Sequence, residues 1–228
     1  MTKIFIATPA YDGKVHVQYA VSLAETFHLL NSSHIECMMR IHASGSLLCA
    51  ERNRLLEAFM ATDCTHILCI DSDIGWHAND VLALLHRDID VAAGCYPARQ
   101  EKLFLFRPEF NENGSVVGCD KKKMLKMTHI PAGFMLIKRQ VIMDMREHYP
   151  ELYFKPKLIE DAPSGYALFE TGIVDGEFWG EDYIFCSRLA ECGFEIWVDP
   201  TLRFDHAGNV GALIEALTDD KEKAMVTK

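Results

Sequence analysis

Two aspartates, Asp71 and Asp73, stand one residue apart at the end of the apolar run Ile67 to Ile70. The run predicts a buried strand, so both carboxylates come at the border of a protein core. Two ionised carboxylates this close repel each other unless a proton or a cation lies between them. Because Mg²⁺ and Mn²⁺ prefer acidic oxygens, water and phosphate as ligands, the pair predicts a divalent metal that carries a phosphate-bearing ligand. A purely structural role, in which Asp71 caps a turn and Asp73 caps the next helix, stays open on these residues alone.

The same spacing recurs at Asp88 and Asp90, and this second pair is an internal control. Ligands of open α/β sheets bind beyond the carboxyl ends of the strands. Asp71 and Asp73 follow their predicted strand, whereas Asp88 and Asp90 precede the next one. Position therefore selects the first pair as the candidate site.

Apolar strand-like runs alternate with helix-like periodicity through the first half of the chain. The predicted helix that follows the two aspartates has Asn79 or His77 as its cap. Continuous apolar strands joined by helices predict an α/β fold with a mostly parallel central sheet covered on both faces. The predicted strands are Lys3 to Thr8, Ile35 to Ile41, Thr65 to Ile70 and Ile89 to Tyr96, and the predicted helices are Val15 to Leu30, Leu47 to Met60 and Asn79 to His86.

After Pro97 the alternation is lost, and the second half is α+β in character. Its strands are expected to add to the edge of the first sheet. The chain shows no internal repeat or linker, so residues 1–211 are predicted to form one domain with lobes at 1–97 and 98–211, followed by a charged tail at 212–228. The predicted strands are Leu103 to Phe106, Gly114 to Gly118, Lys126 to Ile130, Phe134 to Lys138 and Glu195 to Val198, and the predicted helices are Arg139 to His148 and Glu181 to Cys192.

The composition limits the classes of partner. The formal net charge is -10 and the densest basic run is the short Lys121 to Lys123, which argues against a nucleic-acid groove. No apolar run approaches the roughly 20 residues that span a bilayer, and no secretory leader is visible, so a soluble, cytoplasmic protein is expected. Eight cysteines without any C-x-x-C spacing indicate reduced core thiols.

Three further clusters could serve the same site, although each has an ordinary structural interpretation. The first strand ends in a turn with an aromatic ring, Thr8-Pro9-Ala10-Tyr11. An acidic pair, Glu181 and Asp182, opens a predicted helix, where the helix dipole alone favours acids. A late strand ends at His206 and Gly208, and a lone histidine is commonly a hydrogen-bonded structural residue.

The order of these motifs resembles the GT-A fold glycosyltransferases, in particular small, single-domain, family 2-like members encoded by phages and large DNA viruses. The resemblance spans roughly residues 3 to 210 and is most specific from Trp179 to Gly208. The motifs that carry it are T-P-x-Y at Thr8, A-x-R-N at Ala50 to Asn53, D-S-D at Asp71, P-A-G-F-M-L-I at Pro131 to Ile137, W-G-E-D-Y at Trp179, and D-H-A-G at Asp205.

The resemblance implies roles for individual residues. Asp71, Asp73 and His206 would bind Mn²⁺ or Mg²⁺ with the diphosphate, and Asp182, with Glu181 beside it, would supply the catalytic base of an inverting reaction. Lobe 1–97 would hold the nucleotide sugar and lobe 98–211 the acceptor. The donor site would comprise Thr8, Pro9, Ala10, Tyr11, Arg52, Asn53, Asp71, Ser72, Asp73, Gly133 and Trp179.

The implied function is metal-dependent transfer of a sugar from a nucleoside-diphosphate sugar, a UDP-sugar, to a hydroxyl of a glycan or glycoprotein acceptor. An aspartate-nucleophile phosphatase is an alternative, but its D-x-D-x-T motif would need Thr where Gly75 stands. A sugar nucleotidyltransferase would need a glycine-rich signature after the first strand. A nucleotide-sugar binding module is the non-enzymatic alternative, and it would lack the base.

Overall fold

A nine-stranded sheet forms the centre of the computed structural model, which describes residues 1–43, 45–99, 103–119, 123–155 and 164–219. The strands are β1 (Lys3–Ala10), β2 (Glu36–Ala43), β3 (His66–Ile70), β4 (Ile74–Gly75), β5 (Val91–Ala93), β6 (Arg107–Pro108), β7 (Gly118–Cys119), β8 (Met124–His129), β9 (Phe134–Lys138), β10 (Tyr153–Phe154), β11 (Gly165–Tyr166), β12 (Gly172–Val174), β13 (Glu177–Trp179), β14 (Ile196–Val198), β15 (Arg203–His206) and β16 (Asn209–Ala212). The helices are α1 (Val17–Ser32), α2 (Leu48–Met60), α3 (Ala78–Arg87), α4 (Arg139–His148), α5 (Glu181–Glu191) and α6 (Leu213–Asp219). Within the described ranges, no helix is long and apolar enough to cross a membrane.

The strand order of the large sheet is β2-β1-β3-β9-β5-β14-β8-β6, with β7 also paired to β8. Strand β1 runs parallel to β2 and β3, and β14 runs parallel to β5. Only β8 and β9 run against their neighbours, so the other seven of the nine strands share one direction. The predicted α/β class, with a mostly parallel sheet flanked by helices, is confirmed.

Strand β9 corrects the expectation that the second half only extends the sheet edge. It lies between β3 and β5, antiparallel to both, with Phe134 opposite Ile70. Four of its five residues are buried, which suits a strand covered on both faces. Strands from the two predicted lobes therefore alternate within one sheet.

Three of the predicted strands are much shorter than expected. The strand expected to end at Tyr96 stops at Ala93, and at the next residue, Gly94, the ring of Phe204 leaves no space for a Cβ atom. In the run Leu103 to Phe106, Phe104 and Phe106 form isolated bridges and the strand β6 starts one residue later. In the run Gly114 to Gly118, Val116 forms a bridge with Phe110 and Gly118 is the first residue of β7. The local pattern of apolar residues predicted extended structure in these segments, but it could not predict which hydrogen bonds they form. Part of the predicted charged tail forms α6, and residues 220–228 lie outside the described residues.

Two layers of core cover the sheet, and the pleat of β1 divides its side chains between them. Phe5 and Ala7 pack in the layer under α2, α4 and α5, whereas Ile4 and Ile6 pack in the layer under α1 and α3. Successive side chains of a strand point to opposite faces, which explains this division.

The control pair, Asp88 and Asp90, lies at the opposite end of the sheet from Asp71. Lys138, the last residue of β9, binds Asp88 at 2.8 Å and Asp90 at 3.1 Å, next to the start of β3 at His66. The predicted separation of the two D-x-D motifs is confirmed. The helix between them, α3, is capped by His77, one of the two predicted caps.

Arg139, at the start of α4, ties the end of α2 to the sheet. Its guanidinium donates to the carbonyl oxygens of Phe59 (3.0 Å), Thr62 (2.6 Å) and Cys64 (2.6 Å). These carbonyls belong to the last turn of α2 and to the loop before β3. One side chain therefore satisfies acceptors that the end of a helix leaves without partners.

We expect Arg139→Met to lower the free energy of unfolding by about 2–4 kcal/mol, because it removes charged hydrogen bonds and leaves partly buried carbonyls unpaired. Urea denaturation measures this. The control is Arg203→Met, which removes an exposed ion pair with Glu215 and should cost less than about 1 kcal/mol. Equal losses in the two variants would contradict the assigned role of Arg139.

Candidate active site

The candidate site forms where β3 ends and the loop before β9 crosses it. The amide of Asp71, the first residue after β3, donates to the carbonyl oxygen of Gly133 at 3.0 Å. Asp71 therefore sits at the carboxyl edge of the sheet, as the sequence predicts. Helices α2 and α5 bring further charged side chains to the same place.

A buried guanidinium lies at the centre of this site. Arg52 of α2, whose side chain is 3% exposed, contacts three carboxylates. Its Nη2 lies 2.9 Å from Oδ1 of Asp71 and 3.6 Å from Oδ1 of Asp182, and its Nε lies 3.3 Å from Oε1 of Glu181. The three acids come from two distant parts of the chain. One cation therefore serves three carboxylates, and the cluster keeps an excess of negative charge.

This arrangement changes the roles assigned to the A-x-R-N motif. Arg52 was predicted to lie beside the nucleotide, but its buried head group faces the carboxylates and orients them. Asn53 is also buried, and its amide exchanges two 2.8 Å hydrogen bonds with the backbone of Phe169. Its side-chain amide thus holds the chain before α5, and a donor contact of Asn53 stays a prediction.

Asp73 forms a second, separate charged group. Its Oδ2 lies 3.1 Å from Nε2 of His206 and 2.6 Å from Nε of Arg99. Nδ1 of His206 lies 2.7 Å from the carbonyl oxygen of Pro97. A carbonyl only accepts, so Nδ1 carries a proton, and in the neutral ring the lone pair of Nε2 faces the carboxylate. This pair of acceptor atoms requires a proton or a cation between them, and Arg99 donates towards both, lying 3.3 Å from Nε2.

The pKa shifts of the pair have the same origin. Burial by itself would raise the pKa of Asp73, but the hydrogen bond and charge of His206, with Arg99, hold that pKa below its ordinary value. Burial would lower the pKa of His206, but the hydrogen bonds to Asp73 and Pro97 hold it above its ordinary value. Asp73 and His206 therefore form a site that favours a positive charge between them.

The donor set at Asp73 and His206 fits a divalent metal that a phosphate ligand completes. A carboxylate oxygen and a neutral imidazole nitrogen point at one position, and Mg²⁺ is commonly bound by one or two carboxylates together with substrate phosphates and water. No group of three or more His, Cys, Asp or Glu side chains that could hold a metal occurs among the described residues. Asp71 is engaged by Arg52 and Tyr96, so its role as a third ligand stays a prediction.

Two clefts meet at this site. The first, of about 260 Å³, exposes Asp71, Ser72 and Asp73. The second, of about 510 Å³, is lined by Tyr96, Pro97, Ala98, Arg99, Leu105, Pro131, Asp182 and His206. Arg99 lines both clefts, and the Asp73–His206 pair lies at their junction.

The turn predicted to receive a nucleotide contributes only two of its four residues. Pro9 and the exposed Tyr11 line the first cleft. Thr8 is 0% exposed, with its hydroxyl 2.6 Å from that of Tyr19, and Ala10 is 1% exposed. Both side chains are buried because β1 continues to Ala10, two residues further than expected, and contact of these two residues with a nucleotide stays a prediction.

The two acids at the start of α5, Glu181 and Asp182, have different surroundings. Asp182 lines the second cleft, whereas Glu181 contacts Arg52 and lines neither cleft. The pKa of Asp182 is raised to about 7, with burial as the largest cause; the charges of Glu181 and Asp71 also raise it, and Arg52 opposes the shift. Oδ1 of Asp182 has no hydrogen-bond partner among the described residues. The geometry thus distinguishes Asp182 from Glu181 as the acid that faces open space.

Gly133 leaves space for two side chains of the site, Tyr96 and Asp71. A Cβ atom there would lie 2.2 Å from Oη of Tyr96 and 2.3 Å from Oδ2 of Asp71. Tyr96 accepts a hydrogen bond from the Gly133 amide at 3.2 Å and donates one to Asp71 at 3.3 Å. The position of Asp71 therefore depends on the absence of a side chain at residue 133.

Trp179 lines neither cleft, and its role as a donor contact stays a prediction. Its ring packs edge-on against His129, with centroids 4.8 Å apart, and the guanidinium of Arg107 lies 5.2 Å from its centroid. Sequence reasoning in turn missed Tyr96 and Arg99. Both follow the carboxyl end of β5, and that position was the signal that could have found them.

Three solved structures resemble this fold at a distance. No protein-family model and no curated protein sequence matches the chain. A structure of GalNAc-T7 with UDP, GalNAc and Mn²⁺ aligns at 9% identity over 90% of this chain and 44% of that chain, with a TM-score of 0.44. Staphylococcus aureus TarS residues 1–349 with UDP-GlcNAc aligns at 13% identity over 87% and 56% of the two chains, with a TM-score of 0.42.

A second structure of TarS 1–349 gives 14% identity, 87% and 58% coverage, and a TM-score of 0.43. The chain thus spans about half the length of the structures it resembles. GalNAc-T7 and TarS are GT-A glycosyltransferases, the family that the sequence motifs resemble. At these scores the likeness assigns no activity to this chain.

We expect Gly133→Ala to lower the free energy of unfolding by about 1–3 kcal/mol, because the new methyl group collides with Tyr96 and Asp71. Denaturant titration gives this value. The control is Gly172→Ala, whose Cβ would make an ordinary 3.8 Å contact with Ile184 and should change stability by less than about 0.5 kcal/mol. A Gly133 variant as stable as the control would show that the loop before β9 can move away.

Proposed function

We propose that this protein is a metal-dependent glycosyltransferase that moves a sugar from a nucleoside-diphosphate sugar, a UDP-sugar, to a hydroxyl of a glycan or glycoprotein acceptor. One observation carries the proposal. A carboxylate with a raised pKa, Asp182, lines a cleft that meets a second cleft at Asp73 and His206, whose facing atoms both contact Arg99. A glycosyl transfer needs a base for the attacking hydroxyl and a cation for the departing diphosphate, side by side.

Asp182 is suited to act as the base. A general base is most effective when its pKa lies near the working pH, and burial raises the pKa of Asp182 to about 7. Its ionised carboxylate would take the proton of the acceptor hydroxyl in the larger cleft. Arg52 holds Asp182 in place without binding it tightly, since the contact is 3.6 Å long. Arg52 is therefore a positioning residue.

The smaller cleft would receive the nucleoside diphosphate. Tyr11 offers an exposed ring for a base, and Asp73 and His206 would hold the divalent cation together with phosphate oxygens. A bound Mg²⁺ or Mn²⁺ would supply neutralisation of the charge that develops on the leaving diphosphate. Arg99 lines both clefts and adds a further positive charge at their junction. UDP and Mn²⁺, which are present in the GalNAc-T7 structure, are the first ligands to test.

We expect UDP to bind only with Mn²⁺ or Mg²⁺, because the Asp73–His206 pair cannot face a diphosphate without a cation between them. Titration calorimetry of UDP with metal and with EDTA measures this. His206→Ala should weaken the metal-dependent binding by at least about tenfold, the loss typical of a disturbed metal environment.

The matched controls are Asp88→Asn and Asp90→Asn, which lie at the opposite end of the sheet and should leave UDP affinity unchanged. The same UDP affinity with and without EDTA would contradict metal dependence. A loss of binding in either control variant would place the ligand at the other end of the sheet.

We expect Asp182→Asn to reduce turnover by about 10²- to 10⁴-fold while UDP affinity stays nearly unchanged, because a base acts on the acceptor. In the wild type, turnover should rise with pH and level off above about 7 as Asp182 ionises, and this rise should be lost in the variant. Glu181→Gln is the control and should retain more activity, since Glu181 lines neither cleft.

The pH dependence of protein stability distinguishes a catalytic-base role of Asp182 from that of an acid that only stabilises the start of the helix. A pKa raised from 3.8 to about 7 means that folding disfavours the ionised form, so the stability of the wild type should fall as pH rises between those values. Asp182→Asn should then raise the melting temperature above pH 7. A helix-dipole role predicts instead a loss of about 0.3–1 kcal/mol and normal turnover.

A further inference from the structure

Strand β2 forms one edge of the nine-stranded sheet. It is eight residues long, Glu36–Ala43, which exceeds the usual strand length of about 5–6 residues. Its inner edge pairs with β1 along its whole length, and none of the described strands pairs with its outer edge. A long edge strand presents unpaired N–H and C=O groups that favour pairing with another strand.

The two faces of β2 differ in character. Ile35, Cys37, Met39 and Ile41 share one face, and the first two of them pack with Phe27 of α1 against the core. Met39 is 49% exposed and Ile41 is 36% exposed, so this apolar row continues into solvent. The row ends without a covering element among the described residues.

The other face carries opposite charges two positions to each side of Met38. Glu36 and Arg40 are both exposed, and Met38 between them is 47% exposed. Glu36 contacts Lys3 at 2.8 Å, whereas Arg40 has no carboxylate partner among the described residues. The segment is therefore self-complementary in charge about Met38.

We propose that β2 pairs antiparallel with β2 of a second copy of this chain, about a twofold axis at Met38. A twofold axis perpendicular to the sheet keeps like faces together, so each residue must oppose one on the same face. In the register centred on Met38, Glu36 of each copy lies opposite Arg40 of the other. Ile35 then opposes Ile41, and apolar residues meet along the other face.

The neighbouring registers are less favourable. A twofold axis at Arg40 would place the Arg40 side chains of the two copies opposite each other. An axis at Met39 would place Arg40 of one copy opposite Met38 of the other. Centring on Cys37 places Glu36 opposite Met38. Opposite charges directly across an antiparallel pair stabilise it and like charges destabilise it, so charge selects the Met38 register. The pairing would join two sheets into one of eighteen strands.

Pairing of one strand per copy buries less surface than a standard interface of about 1,200–2,000 Å², so the dimer should be weak and concentration-dependent. Sedimentation equilibrium of the whole chain, over a range reaching about 100 μM, tests this. We expect reversible dimerisation of the wild type. Arg40→Glu and Glu36→Arg should each raise the dissociation constant at least about tenfold, because each creates two like-charge contacts per dimer.

The charge-swapped double variant, Glu36→Arg with Arg40→Glu, is the decisive sample. It should restore the dissociation constant to within about threefold of the wild type, since the opposite charges meet again. Melting curves identify any variant that fails to fold. Arg40→Glu disturbs no described ion pair, so its loss of dimer can be attributed to the interface.

A cross-link tests the register independently of charge. In a Cys37→Ser background, Met38→Cys faces itself across the axis and should form an intermolecular disulfide on mild oxidation. Met39→Cys in the same background is the matched control and should form much less, because it opposes residue 37. The proposal would be overturned if the wild type stays monomeric or if neither charge reversal changes the dissociation constant. It would also be overturned if the double variant stays dissociated or if residues 38 and 39 cross-link equally.

Discussion

The arrangement of the site depends on the contact of Arg52 with three carboxylates. Moving a guanidinium out of water costs several kcal/mol unless acceptors surround it, and Asp71, Glu181 and Asp182 supply them. The same contact joins α2 to the chain after β3 and to the start of α5, which come from opposite halves of the sequence. Because burial disfavours the charged form and three negative charges share one positive charge, folding raises the pKa of one of the acids. Asp182 is the acid on which that shift falls.

The D-x-D motif serves two charged groups rather than one. Asp71 turns towards Arg52 and Tyr96, while Asp73 turns towards His206 and Arg99. The chain separates them by turning directly after β3, where the amide of Ile74 donates to the carbonyl oxygen of Asp71 at 3.2 Å and β4 then pairs with β15. Repulsion between the two aspartates is thus relieved by two different cations. The late histidine is brought to Asp73 by the same β4–β15 pairing.

Sequence pattern predicted most helices to within two residues, because an apolar stripe reports directly on the buried face of a helix. It could not place β9 between β3 and β5, since periodicity describes a strand's faces and not its neighbours in the sheet. The motifs selected Arg52, Asn53 and Gly133 as donor-site residues, whereas the structure shows Arg52 and Asn53 engaged by other protein groups and Gly133 packed against Tyr96 and Asp71. A polar side chain that contacts a ligand and one that is fully engaged inside the core look alike in a sequence. Arg99 was missed because a single arginine after a strand forms no motif.

The lengths of the Arg52 contacts explain why one acid differs from the other two. Arg52 lies 2.9 Å from Asp71 and 3.3 Å from Glu181 but 3.6 Å from Asp182, so Asp182 receives the weakest hydrogen bonding from the shared cation. Its Oδ1 is buried without a hydrogen bond from the described residues, while the side chain still borders the larger cleft. Burial and this weak neutralisation raise the pKa of Asp182, and its side chain stays reachable from the cleft. Asp182 therefore bears most of the unfavourable free energy of burying the three acids. It is also the acid that borders the larger cleft, where an acceptor hydroxyl would enter.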